Sequence, residues 1–139
     1  MYVYIDSDQC LQYFPENQSA SFRIRLPKQL KFPGSWEVAL VEIDLPRIKN
    51  SHDPRYLTVN SPICTENFVN TGLRPILRRI YKRQLKQDKH IAFYPLMYVP
   101  VNTERLEVLQ IYITDDVLQT PSFQAGTLYC TLHFRQRRS

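Results

Sequence analysis

Apolar and polar residues alternate with a period of two along most of this chain, the pattern of extended strands buried on one face. Phe22, Ile24 and Leu26 alternate with Arg23 and Arg25, which predicts a strand with one apolar and one cationic face. Towards the other end, Leu128, Cys130, Leu132 and Phe134 take one phase, and Thr127, Tyr129, Thr131, His133 and Arg135 the other. From Trp36 to Leu45 both phases are apolar, with Trp36, Val38 and Leu40 on one and Ala39, Val41 and Ile43 on the other. A strand covered on both sides, or one interrupted by a bulge, has this pattern. Between Leu106 and Ile113 the apolar phase shifts at Val108 and Leu109, which again predicts a bulge or a change of covered face. Residues 2–6, 56–60, 76–82 and 91–99, rich in Tyr, Val, Ile or Phe, complete eight short strands.

Ten prolines punctuate these segments, at 15, 27, 33, 46, 54, 62, 75, 95, 100 and 121. Proline cannot donate to a ladder, so it is expected at strand ends, edges and turns. No repeat and no linker-like tract divides the 139 residues, so residues 1–139 read as a single domain. The predicted fold class is all-β: a jelly-roll-like antiparallel sandwich of about eight strands. One segment carries two readings. Leu77, Ile80 and Leu85 also fit a basic amphipathic helix, so 76–82 is either a strand followed by a basic loop or part of a helix reaching 86.

Nine Tyr, seven Phe and one Trp supply enough apolar area to offset the entropy of ordering, which disfavours disorder. No apolar run approaches the roughly 20 residues of a membrane span, and the first residues lack a signal-peptide pattern. Retention inside a cell is the expectation, and Cys10, Cys64 and Cys130, odd in number and far apart, are expected to be reduced, packed thiols. Trp36 and Phe134 are assigned to the core. Glu37 and Glu42 are expected either to pair with Arg23 or Arg25 across a sheet or to face a neighbouring subunit.

Catalytic chemistry finds little support. His52, His90 and His133 sit in no nucleophile–base–acid arrangement, and Gly34, Gly72 and Gly126 are too isolated to form a phosphate-cradling loop. Asp115-Asp116 reads as a turn after the strand ending at Ile113 rather than half a metal site. Neither an enzyme nor a cofactor is predicted. The formal charge is +5, and Arg74, Arg78, Arg79, Lys82, Arg83, Lys86 and Lys89 cluster against a single acid, Asp88. With Arg135, Arg137 and Arg138 they are candidates for contact with nucleic acid or an acidic partner, beside the plainer reading of a solvated cationic face.

Longer blocks carry more information. Tyr13-Phe14-Pro15-Glu16-Asn17 is followed by Phe22 through Leu26-Pro27, then by Gly34-Ser35-Trp36-Glu37-Val38-Ala39-Leu40-Val41-Glu42-Ile43 and Pro46. At the other end stand Ile111 to Asp116, Phe123 with Gly126, and Thr131-Leu132-His133-Phe134-Arg135. In this order the blocks resemble a structural protein of Polinton/Maverick elements and the related adintoviruses. They cover roughly the first third and last quarter of the chain; the middle matches loosely, at Tyr56–Asn60 and Pro75–Arg78.

The resemblance implies a virion component, a minor capsid protein of the penton type built as a single jelly roll and assembled inside the host cell. Its implied partners are copies of itself, as a pentamer or other ring, and a major capsid protein. Closing such a ring requires two different patches of the subunit to meet. Tyr94, Leu96, Met97 and Tyr98, an aromatic group rimmed by Pro95 and Pro100, are the candidate contacts, unless they fill the core. Two other readings stay open: a nucleic-acid-binding module using the basic 74–89 segment, and a captured adaptor that binds proteins by strand addition.

Overall fold

A computed structural model describes residues 1–49, 53–87 and 90–137. In chain order the elements are β1 (Tyr2–Asp6), β2 (Ser21–Lys31), β3 (Trp36–Asp44), β4 (Tyr56–Asn60), β5 (Asn67–Val69), β6 (Gly72–Arg74), β7 (Ile76–Tyr81), α1 (Lys82–Gln87), β8 (His90–Ala92), β9 (Val99–Pro100), β10 (Arg105–Asp115) and β11 (Tyr129–Gln136).

The strands pair as a hairpin of the whole chain. β1 pairs with β11, β2 with β10, β3 with β8 and β9, and β4 with β7, all antiparallel, and the small β5–β6 ladder forms the tip. The hairpin is rolled so that β11 also pairs with β3, and β10 with β4. One sheet therefore runs β1-β11-β3-β8, with β9 also on β3, and the other runs β2-β10-β4-β7. From β1 to β4, and again from β9 to β11, consecutive strands alternate between the sheets. This is the jelly roll that the alternating sequence predicts.

Bulges explain the mixed phases. Opposite β11, Leu132 pairs with Leu40 but Thr131 pairs with Glu42, so Val41 is the extra residue in β3. The slip rotates the phase, and Leu40 and Ile43, three apart, both point into the sandwich. β7 does the same: Val59 faces Arg78 and Asn60 faces Ile76, so Leu77 is extra, and Leu77 and Ile80 are both buried. That spacing of three is what resembles a helix in the sequence. The segment is a strand to Tyr81, and the expected basic loop is the short helix α1.

Pro27 lies within β2, an edge strand as expected for proline, in an irregular stretch where Arg25 pairs with Val108 but Leu30 with Leu106. Two further expectations are corrected. The irregularity opposite β10 thus lies between Leu106 and Val108, earlier than the apolar pattern places it. The strand expected over 91–99 is broken into β8 and β9, because the chain leaves the sheet at Tyr94-Pro95. Gly34, at φ +78°, makes the turn between β2 and β3.

The core lies between the sheets and includes Phe22, Phe32, Leu57, Leu109, Ile111, Ile113 and Phe134. Phe32 and Phe134 stack with centroids 5.2 Å apart, and Trp36 tilts against Phe32 at 5.5 Å while its Nε1 donates to the Pro33 carbonyl at 2.9 Å. Phe134 is core as expected; Trp36 is half-buried and closes one end of the sandwich. Cys10, Cys64 and Cys130 are buried free thiols. Among the described residues, no helix is long and apolar enough to cross a membrane.

Candidate functional site

Two surfaces concentrate chemistry. The first is a groove of about 530 Å³ at the edge where β7 of one sheet lies beside the 93–99 segment of the other. Its lining includes Arg78, Arg79, Arg83, Tyr94, Met97 and Tyr98. The basic and aromatic groups, separate in the sequence, thus share one groove. Tyr94 is 95% exposed and Met97 58% exposed, an unusual position for large apolar side chains. Leu96 instead packs against the core from a half-buried position. Tyr98 is also half-buried: Arg135 lies over its ring, 3.4 Å from the centroid, and its hydroxyl is 2.7 Å from His133 Nδ1.

The arginines differ in how they are held. Arg78 bridges the sheets, with its Cζ 4.6 Å from the Phe93 centroid and its Nη1 donating to the Pro95 carbonyl at 3.1 Å. Partial burial pulls its guanidinium below the ordinary value, with Tyr81 working in the opposite sense; it remains a cation at neutral pH. Arg79 lies over Tyr56 at 4.1 Å. Lys82 is turned away to Asp53 at 2.6 Å. Arg74 bonds the neighbouring Leu73 carbonyl at 2.8 Å and lies with Glu66 beside a different depression. Lys86 is on α1, and Lys89, Arg138 and His52 fall outside the described residues. Of the described cations of the run, Arg74 and Lys82 are drawn elsewhere, and Arg78, Arg79 and Arg83 line the groove.

The second surface is the outer face of the β1-β11-β3-β8 sheet. Register builds two rows across four strands: Tyr4, Thr131, Glu42 and Ala92, and next to it Asp6, Tyr129, Asp44 and His90. Residues paired directly across strands share a face, so Asp6, Glu42 and Asp44 converge with Tyr4 and Tyr129 around a depression of about 300 Å³. Among the described residues its lining holds those three carboxylates and no lysine or arginine. His90 Nδ1 bonds the Asp44 carboxylate, and its Nε2 lies 3.8 Å from Glu42. Thr131 Oγ1 donates to Glu42 at 3.1 Å. Asp6 accepts from the Asp8 backbone and the Gln9 amide at 3.0 Å each.

This face is absent from the sequence reading, although the signal exists: Tyr2, Tyr4 and Asp6 share one phase, and Glu42 and Asp44 another. The alternative that Glu37 or Glu42 pairs with Arg23 or Arg25 is overturned. Those arginines are in the other sheet, and Glu37 instead pairs with Arg135 at 2.7 Å.

Among the described residues no group of His, Cys, Asp and Glu could hold a metal ion. Asp115 makes the expected turn, its Oδ1 accepting from the Val117 and Gln119 amides at 3.0 and 2.9 Å, although β10 runs two residues beyond Ile113 to reach it. His133 is satisfied by Tyr98 and packs against Tyr2 at 4.5 Å.

No protein-family model matches the sequence, and no curated protein matches it. Among solved structures, the fold is similar to the crystal structure of the selenomethionine-labelled mavirus penton protein. The TM-score is 0.65 over 99% of this chain and 100% of that one, at 7% sequence identity. At that identity the likeness is one of architecture: a penton-like sandwich spanning both chains.

Proposed function

We propose that this chain is a virion structural protein, a minor capsid subunit of the penton type found in Polinton- and adintovirus-like elements, formed as one jelly-roll domain over residues 1–139. Copies of it close a ring at a capsid vertex, and the ring meets a major capsid protein. The work is done by geometry: a rigid sandwich sets the angle between neighbours, and no bond is made or broken. The protein acts in the virion after assembly inside the host cell, without a cofactor.

The observation that carries this reading is the end-to-end likeness of the rolled hairpin to the mavirus penton protein. The groove agrees with it, because exposed Tyr94 and Met97 beside arginines have the composition of an interface centre. The nucleic-acid reading is weakened by the dispersal of the basic run.

Light scattering across a concentration series tests the proposal. The expected result is a rise from monomer to one discrete multiple of the chain mass, unaffected by added DNA or RNA. A strict monomer that binds nucleic acid tightly, and loses it when Arg78, Arg79, Lys82 and Arg83 are neutralised, would overturn it.

A further inference from the structure

We propose that the acidic tyrosine face of one copy docks onto the cationic groove of the next, so that these two surfaces form the repeating interface of the ring. The inference rests on the capsid-subunit reading and names the two surfaces that meet.

Charge is the first argument. Among the described residues, the groove lining holds Arg78, Arg79 and Arg83 with no carboxylate, and the face lining holds Asp6, Glu42 and Asp44 with no lysine or arginine. The groove thus carries a cationic excess; on the face His90 bonds the Asp44 carboxylate and lies 3.8 Å from Glu42, and the three carboxylates outnumber that one imidazole, so the excess there is acidic. Complementary patches of this kind orient an encounter and set its register.

Aromatic surface is the second argument. Tyr94 and Met97 project from the groove, while Tyr4 is 75% exposed beside Tyr129 on the face. Tyrosine, methionine and arginine are the side chains enriched at the centres of protein interfaces. Topology supplies the third. The groove belongs to β7 and the 93–99 segment, whereas the face is built on β1, β11, β3 and β8. Two distinct patches can repeat head to tail around an axis, which a self-complementary patch cannot.

The occupant is therefore a second copy of this chain. Nucleic acid would match the groove, but the acidic face would then have no role.

The test uses two full-length variants with one disabled surface each. Glu42→Lys with Asp44→Lys reverses the face, and Arg79→Glu with Arg83→Glu reverses the groove. Each alone should weaken self-association by about tenfold or more. Mixed one to one, the chains restore both contacts, intact groove on intact face and reversed groove on reversed face, so the mixture should associate again into alternating assemblies beyond the dimer. Combining all four substitutions restores opposite charges and should restore the ring. Because association requires folded partners, a variant that fails to fold is recognised by circular dichroism and replaced by Glu42→Gln with Asp44→Asn, or Arg79→Gln with Arg83→Gln.

If the wild type forms rings and neither variant changes them, the interface is elsewhere and this inference falls while the capsid reading stands. If wild type and mixture both stay monomeric at every concentration, the capsid reading falls and takes the inference with it. Nucleic-acid binding lost in the groove variant, with no self-association, would also overturn the inference.

Discussion

Arg78 lies over the ring of Phe93, with its Cζ 4.6 Å from the centroid, while its Nη1 bonds the Pro95 carbonyl at 3.1 Å. The pair links β7, an edge strand of one sheet, to the segment that leaves β8 in the other. Arg78→Ala should therefore cost about 1–2 kcal/mol of monomer stability, from the lost cation–π contact and hydrogen bond. Arg78→Lys should recover only part, since an ammonium lacks the planar fork. Urea unfolding of the three proteins checks this.

Phe134 should matter more. It is fully buried and stacks on Phe32, and no rearrangement of a two-sheet core refills an aromatic volume cheaply. Phe134→Ala should lose about 3–5 kcal/mol. The loss should appear in dilute, monomeric protein, which separates a folding defect from an assembly defect.

His133 gives stability a pH dependence. Burial first, then the N-terminal ammonium and Arg135, hold its pKa below the ordinary value of 6.5. Below that value the unfolded chain takes up a proton that the folded chain resists. Stability therefore rises with pH through the window just under 6.5 and is lost as acid is added. The Tyr98 hydroxyl lies 2.7 Å from Nδ1, a nitrogen that donates once the ring is protonated, so in that form the hydroxyl has to accept. Thermal unfolding across the acidic range should show this slope, and His133→Gln should flatten it.

The thiols should be inert while the protein is folded. Burial pushes the Cys64 thiol up to about 12 and raises Cys130 as well, and the Cys10 Sγ accepts the Arg25 amide at 3.3 Å. Thiolate is the reactive form. At mildly alkaline pH a thiol reagent should label native protein negligibly and all three cysteines once denaturant is added.

Much of the sandwich is legible in the sequence because alternation reports directly on burial, as at Phe22 and Ile24 or at Leu132 and Phe134. Bulges blur that code. Leu77 and Ile80 imitate helical spacing because one inserted residue rotates the strand, and no local pattern distinguishes that from a turn of helix. The β5–β6 hairpin escapes notice because three-residue strands carry too little periodicity, although its Phe68 is 85% exposed.

The functional surfaces are harder still. Arg78 and Tyr94 share a groove only because the chain reverses through α1 and β8, and Asp6 joins Glu42 and Asp44 only because β11 pairs with both β1 and β3. Residue types were visible in each segment; their convergence is a product of strand order. That is also why the basic run divides, with Lys82 on Asp53 and three arginines in the groove.

The central claim is that copies of this sandwich form a closed ring, and imaging the concentrated protein by negative stain tests it most directly. Class averages should show a ring of one size with rotational symmetry, fivefold for a vertex penton, in which every copy meets its neighbours through two different surfaces. Averages showing only single copies, or two-fold dimers joined through one shared surface, would contradict it.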